Sequence, residues 1–184
     1  VSSTQKKIWI LGEKSLFVRD ISAASSEQQI PLPASVAQCQ NVITDSGGCW
    51  ILSKTNLARF VNQQWQIIPN QLSSTYLLQF DDNNALLWLR DGASVYAFDL
   101  HQIPAAIRPA EAVHQLLIPE IAICAMTDDY ANVWLGTDAK GIRKFNPQSS
   151  AFKNYLQGYS IYSPPLSGGQ GHIWLGDVRR VKPF

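Results

Sequence analysis

A tryptophan flanked by branched apolar residues recurs five times along this chain at a nearly even pitch. The contexts are KIWILG around Trp9, GCWILS around Trp50, LLWLRD around Trp88, NVWLGT around Trp134 and HIWLGD around Trp174, separated by 41, 38, 46 and 40 positions. Trp65, in QQWQIIP, stands outside the series. Self-similarity at a fixed period constrains a fold more than local propensity does, because each copy is one supersecondary unit that must be completed by its neighbours.

Other features recur in phase with the tryptophans. Ahead of Trp50, Trp88, Trp134 and Trp174 comes a polar turn, in ITDSGG, FDDNNA, TDDYAN and SGGQGH. Behind it comes a second apolar stretch (SLFV, NLARF, SVYAF, GIRKF), with an aromatic at Phe60, Phe98 and Phe145. A third stretch follows (QWQIIP, HQLLIP, FKNYL), and a fourth (CQNVIT, YLLQF, ICAMT) leads into the next turn. Short runs rich in Ile, Val, Leu, Phe, Tyr and Trp, bounded by Gly, Asn, Asp, Ser or Pro, read as strands. Four strands in about 40 to 45 residues make a propeller blade, a sheet that cannot bury both faces alone and stacks on its neighbours around an axis. The expectation is therefore an all-β propeller of about five blades, near 1–34, 35–70, 71–119, 120–157 and 158–184. Each tryptophan lies on the second strand from the axis and packs between adjacent sheets.

Too few residues precede Trp9 for a first strand, and VRRVKPF provides a third strand with no fourth. This predicts eighteen strands, with three in each terminal unit and four in each middle one. An incomplete arc of a larger propeller is the preferred reading, and a closed five-bladed ring is the alternative. Open sheet edges would leave room for a homodimer.

The segment DDYANVWLGTDAKGIRKFNPQSSAFKNYL, Asp128 to Leu156, closely meets D-x-x-[GA]-N-[IV]-W-[IL]-G-T followed by G-[IL]-x-[RK]-[FY] and F-x-x-Y. GQGHIWLGD meets it in part, while the Trp9, Trp50 and Trp88 copies keep the tryptophan and lose the Gly-Thr pair. The chain thereby resembles the two-component-regulator propeller repeat family, found in the extracytoplasmic sensor regions of bacterial hybrid histidine kinases and of some diguanylate-cyclase receptors. The resemblance implies a periplasmic, non-enzymatic sensory module that passes a ligand-dependent rearrangement to the rest of its receptor chain. It brings no catalytic residues to carry over. Two other functions compete, a propeller enzyme of the streptogramin-lyase type and a structural protein-interaction scaffold.

The residues themselves give little chemistry. A formal net charge of +1 with 16% charged residues does not suit phosphate attraction, so no nucleic-acid partner is expected. No apolar run reaches the roughly 20 residues of a spanning helix, so the segment itself makes no membrane contact. Cys39, Cys49 and Cys124 lack zinc-type spacings, and a hairpin centred near Gly47 would set Cys39 opposite Lys54 rather than Cys49. Neither a metal nor another cofactor is expected. Asp45, Asp81, Asp82, Asp128 and Asp129 occupy turns before tryptophan strands, where Asp side chains accept from nearby backbone N–H groups. GGQG, Gly168 to Gly171, lacks the Lys-Ser/Thr of a phosphate loop and reads as a turn. His101 and His114 bracket HQIPAAIRPAEAVHQ, which reads as a solvated outer insertion, and His172 occupies a turn position. A ligand, small or oligosaccharide-like, would sit at one mouth of the channel, where position alone nominates Lys54, Arg90, Asp91, Asp138 and Lys140.

Overall fold

The computed structural model of the protein describes residues 7–20, 27–36, 38–39, 42–45, 47–81, 84–138, 140–147 and 151–155, together with the strand segments 166–167, 173–177 and 180–183. These residues form five antiparallel sheets, taken in chain order. Sheet I holds β1 (Lys7–Leu11), β2 (Ser15–Asp20) and β3 (Gln28–Pro31). Sheet II holds β4 (Val42–Thr44), β5 (Gly48–Leu52), β6 (Asn56–Val61) and β7 (Gln64–Pro69). Sheet III holds β8 (Thr75–Asp81), β9 (Leu86–Asp91), β10 (Ser94–Asp99) and β11 (His114–Leu117). Sheet IV holds β12 (Ala122–Thr127), β13 (Val133–Thr137), β14 (Gly141–Asn146) and β15 (Ala151–Tyr155). Sheet V holds β16 (Leu166–Ser167), β17 (Ile173–Asp177) and β18 (Arg180–Pro183).

Within each sheet every strand pairs with its neighbour in sequence, so each is an up-and-down meander of the propeller type. The register follows the turn signals. Thr44 faces Cys49 and Val42 faces Ile51, the register of a hairpin that turns near Gly47. None of the three cysteines forms a disulfide; Cys49 and Cys124 are buried and Cys39 is half-buried.

The sheets pack face to face through three apolar layers. Side chains on a strand alternate between its faces, so the odd and even positions of a second strand serve different neighbours. On β5, Cys49 and Ile51 join Leu16, Val18 and Ile30 of sheet I, whereas Trp50 and Leu52 join Leu87, Leu89 and Phe98 of sheet III. On β9 the same rule turns Leu87 and Leu89 toward sheet II and Trp88 toward Ala122, Ala125, Val133 and Leu135 of sheet IV. Trp50 and Trp88 are fully buried. Trp9 meets Phe60 of sheet II edge-on, at 6.3 Å between ring centres. Trp134 is half-buried between Lys144 and Tyr155 of its own sheet, with Nζ 4.9 Å and the tyrosine ring 5.5 Å from its centre. Trp174 lies on β17, but its side chain is outside the described residues. Trp65, outside the repeat, packs on Phe60 from β7.

The insertion between β10 and β11 differs from the solvated loop expected from its composition. Ala106 and Ile107 are buried, and Ile107 N donates to Pro69 O at 2.8 Å while its carbonyl accepts from Gln71 N at 2.9 Å. The segment thus staples sheet III onto the connection leaving sheet II. His114 is likewise not in a loop. It opens β11, and its ring lies parallel to that of Trp88 at 6.1 Å and edge-on to Phe145 at 6.2 Å. Ile107 and His114 find apolar partners on other sheets, which composition alone does not reveal.

Candidate ligand-binding face

In each four-stranded sheet, antiparallel pairing brings the turn between second and third strands to the same end as the connection from the fourth strand to the next sheet. This end carries the turns at 53–55, 92–93 and 138–140 and the connections at 70–74 and 118–121, and with them all five nominated residues. Lys54, Asp138 and Lys140 are exposed, whereas Arg90 and Asp91 are half-buried and committed to the framework.

Asp91 closes the incoming connection. Its Oδ1 accepts from Ser74 N at 2.7 Å and from Ser73 Oγ at 3.0 Å, and its Oδ2 accepts from Ser73 N at 3.2 Å. Arg90 reaches across to sheet IV, where Nη1 donates to Ala122 O at 2.8 Å, and its guanidinium lies over the Tyr76 ring at 5.2 Å. Among the described residues the buried Nε of Arg90 has no partner. Asn70 braces the neighbouring connection, donating to Thr75 Oγ1 at 2.7 Å and accepting from Leu72 N at 3.1 Å.

Sequence reasoning missed Glu120 and Arg143 on this face. Arg143 Nε donates to Glu120 Oε2 and Nη2 to Oε1, both at 2.7 Å, a fork that fixes the planes of both groups. The Arg143 hydrogen bonds hold the Glu120 carboxyl below its ordinary range, with a smaller contribution from nearby Lys140. Arg143 falls at the unspecified position of G-[IL]-x-[RK]-[FY], so the repeat pattern gave no signal for it, and its partner lies 23 residues earlier. The result is a stiff, hydrogen-bonded rim carrying two exposed lysines and an exposed aspartate. Among the described residues no three His, Cys, Asp or Glu side chains converge as a metal ion would need.

The aspartates of the pre-tryptophan turns lie at the other end and serve the backbone, as expected, together with a partner that was not foreseen. Asp45 Oδ1 accepts from Gly47 N at 2.8 Å and Gly48 N at 2.6 Å, while Oδ2 takes the Trp50 indole N–H at 2.8 Å and Arg59 Nε at 2.9 Å. Asp128 repeats the device, accepting from Tyr130 N, Asn132 N and the Trp134 indole at 3.0, 2.9 and 2.8 Å. Burial raises the Asp128 carboxyl, but the bonds from Trp134 and Asn132 outweigh it and leave the group below its usual value. Asp81 instead accepts from the Asn84 side chain at 2.9 Å. Among the described residues the buried indole nitrogens of Trp88 and Trp9 find no partner. Beside Trp9, a crevice of about 210 Å³ opens between sheets I and II, lined by Lys7, Gln28, Phe60, Asn62 and Gln63. Asp129 is exposed, and so is His101, which pairs with Asp99 Oδ1 at 2.9 Å. Asp82, His172 and the Gly168 to Gly171 turn lie outside the described residues.

No protein-family model and no curated protein sequence matches the chain. Solved structures do match it in fold. The extracellular domain of BT4673, a B. thetaiotaomicron protein described as a one-component or a hybrid two-component system, superposes with TM-scores of 0.68 and 0.67 in two structures, at 13% and 19% identity. Each match covers 97% of this chain, which spans only 26% and 28% of those chains. YCF48 from Cyanidioschyzon merolae superposes with a TM-score of 0.65 at 9% identity, over 96% of this chain and 65% of its own. The chain has the propeller fold of these proteins, and the sensor-domain neighbours agree with the family that the repeat resembles.

Proposed function

We propose that the chain is part of the extracytoplasmic sensor region of a bacterial signal-transduction receptor, and that it is a non-catalytic, ligand-responsive module. The observation that carries this reading is the superposition of almost the whole chain on the extracellular domain of BT4673, in company with the phased repeat around Trp134. No helix among the described residues is long and apolar enough to cross a membrane, which agrees with a domain held outside one by other parts of a receptor.

The ligand sits at the rim formed by the β5–β6, β9–β10 and β13–β14 turns. Lys54, Asp138 and Lys140 contact it, while Arg90, Asp91, Glu120 and Arg143 hold the rim in shape. The charge pattern suits a small polar molecule or an oligosaccharide bearing an anionic group. The rim's hydrogen bonds couple adjacent sheets, so ligand contacts bias how those sheets pack, the small differential interaction that a two-state receptor needs.

A thermal-shift panel of sugars, sugar acids, amino acids and other small metabolites tests the proposal. The expected result is stabilisation by one chemical class, lost in the Lys54→Ala/Lys140→Ala double variant without a change in the unliganded melting temperature. Turnover of the stabilising compound would overturn the non-catalytic reading. Absence of any small-molecule response together with a stable co-purifying protein would favour a scaffold, a reading to which the structure of YCF48 bound to D1 peptide, 14% identical, lends some weight.

A further inference from the structure

We propose that the crevice beside Trp9 is a second binding site, at the opposite end of the sheets from the rim, and that its ligand is a small aromatic molecule of one ring bearing one carboxylate. The proposal does not depend on the sensor reading.

The crevice holds about 210 Å³ between sheets I and II. Its walls divide by chemistry. Val18 of β2, Ile30 of β3 and Phe60 of β6 are buried, and the half-buried Trp9 meets Phe60 edge-on. The polar lining side chains, Lys7, Gln28, Asn62 and Gln63, are exposed. An apolar interior with a few polar groups at its mouth is how small-molecule sites are built. An apolar cavity of about 150 Å³ takes up benzene, so this volume admits one six-membered ring with a short substituent and is too small for an oligosaccharide. Apolar walls leave the hydroxyls of a sugar ring unpaired, which favours an aromatic ring.

The mouth is preformed. Asn62 and Gln63 both sit at positive φ, 49° and 64°, in the two-residue turn between β6 and β7. Gln28 Nε2 donates to Gln63 Oε1 at 3.2 Å, joining the lips contributed by the two sheets.

Charge selects the substituent. Of the described residues that line the crevice, Lys7 alone is charged. Ion pairs among the described residues hold Arg59, His101, Arg108 and Arg143, and Lys7 is in none of them. Asp20, its cross-strand neighbour, is not part of the lining. Trp9 gives the same answer. In sheets II and IV the second-strand indole donates to a carboxylate five or six positions earlier, Asp45 or Asp128, and a cation lies over its ring, Arg59 or Lys144. The positions five and six before Trp9 are Thr4 and Ser3, so this copy of the repeat encodes no carboxylate there. Opposite the indole on the next strand stands Val18, where the other two sheets have Arg59 and Lys144. Sheet I therefore lacks both charges of the device. It keeps a buried indole nitrogen without an acceptor among the described residues, in the wall of a cavity, with Lys7 two positions away on the same face of β1. A ligand carboxylate supplies that acceptor and gives Lys7 its anion.

Titration of tryptophan-labelled protein with benzoate, benzyl alcohol and glucuronate, followed by NMR, tests the site. The expected result is a saturable shift of the Trp9 indole resonance, with benzoate binding about tenfold more tightly than either of the others. Lys7→Met should weaken benzoate by about tenfold and leave benzyl alcohol unchanged, and Gln28→Glu should weaken benzoate alone. Both variants alter exposed side chains and should melt as the native protein does. The Lys54→Ala/Lys140→Ala variant should bind benzoate normally. No saturable shift at Trp9, equal binding of benzoate and benzyl alcohol, or loss of benzoate binding in the Lys54/Lys140 variant would overturn the proposal. Tighter binding of glucuronate than of benzoate would overturn it in favour of a sugar acid.

Discussion

The indole N–H of Trp50 donates to Oδ2 of Asp45 across 2.8 Å, tying the turn that enters β5 to the side chain that seals sheet II against sheet III. The same carboxylate holds two backbone N–H groups and the Arg59 side chain, whose guanidinium carbon lies 5.1 Å from the Trp50 ring centre. One buried aspartate thus serves the turn, the indole and a cation together. Asp45→Ala leaves the indole and the turn amides without an acceptor, at a cost of about 1–3 kcal/mol for each buried group left unsatisfied. Urea unfolding followed by tryptophan fluorescence should show a loss of several kcal/mol, of the same order as truncating Trp50 itself to Ala, about 3–5 kcal/mol. Asp129→Ala, on an exposed turn position, should change stability by less than about 0.5 kcal/mol.

Two adjacent glycines separate a steric requirement from a merely permissive one. A Cβ on Gly48 would lie 2.0 Å from the Phe60 carbonyl oxygen, whereas one on Gly47 would find no heavy atom nearer than 3.7 Å. Gly48→Ala must therefore push β5 and β6 apart and should lower the melting temperature by many degrees or prevent folding. Gly47→Ala should fold normally. Circular dichroism melts of the two variants decide the matter.

Burial also sets thiol chemistry. Cys49 and Cys124 are pushed up to about 12, in both cases mainly by desolvation, with the charge of Asp45 adding to the effect at Cys49. The thiolate is the reactive species, so neither residue should react with an aromatic disulfide reagent in the native protein at pH 8. Half-buried Cys39, raised less, should react first, and full denaturation should release all three.

Stability should fall with acid in two stages. Desolvation lowers His114 from its ordinary value near 6.5, so the unfolded chain takes up a proton there before the folded one does. Stability is complete above about pH 6.5 and declines as pH falls toward the lowered folded value. Glu120 and Asp128 are depressed, so their contribution is present above the unfolded carboxylate value of about 4 and is lost as pH drops through the folded ones. His114→Gln should remove the upper stage and spare the lower, as read from chemical denaturation midpoints between pH 4 and 8.

How much of this was legible beforehand follows from which interactions are periodic. The tryptophan series prescribes the strand order and the alternation of Trp50 and Ile51 between neighbouring sheets, because those contacts repeat with the chain. The pairing of Thr44 with Cys49 and of Val42 with Ile51 follows from the turn near Gly47. The aspartates were readable as turn residues, but their acceptance of Trp50 and Trp134 was not, since only the folded turn brings the carboxylate to the indole. The docking of Ile107 against Pro69 and Gln71 and the Arg143–Glu120 fork occur once each, between residues 23 or more apart. Pattern reading detects what recurs, and single long-range contacts leave no period. At the candidate face position alone nominated Lys54, Arg90, Asp91, Asp138 and Lys140, of which Arg90 and Asp91 are half-buried, and the hydrogen-bond network around them left no trace in the pattern.

The central claim is that indoles seal the contacts between stacked sheets. Exchange of the indole N–H protons in tryptophan-labelled protein, followed by NMR, tests it most directly. The account predicts that the Trp50 and Trp88 indole protons exchange orders of magnitude more slowly than those of free tryptophan, with Asp45→Ala accelerating Trp50 alone. Exchange of both at the free amino-acid rate in the folded protein would contradict it.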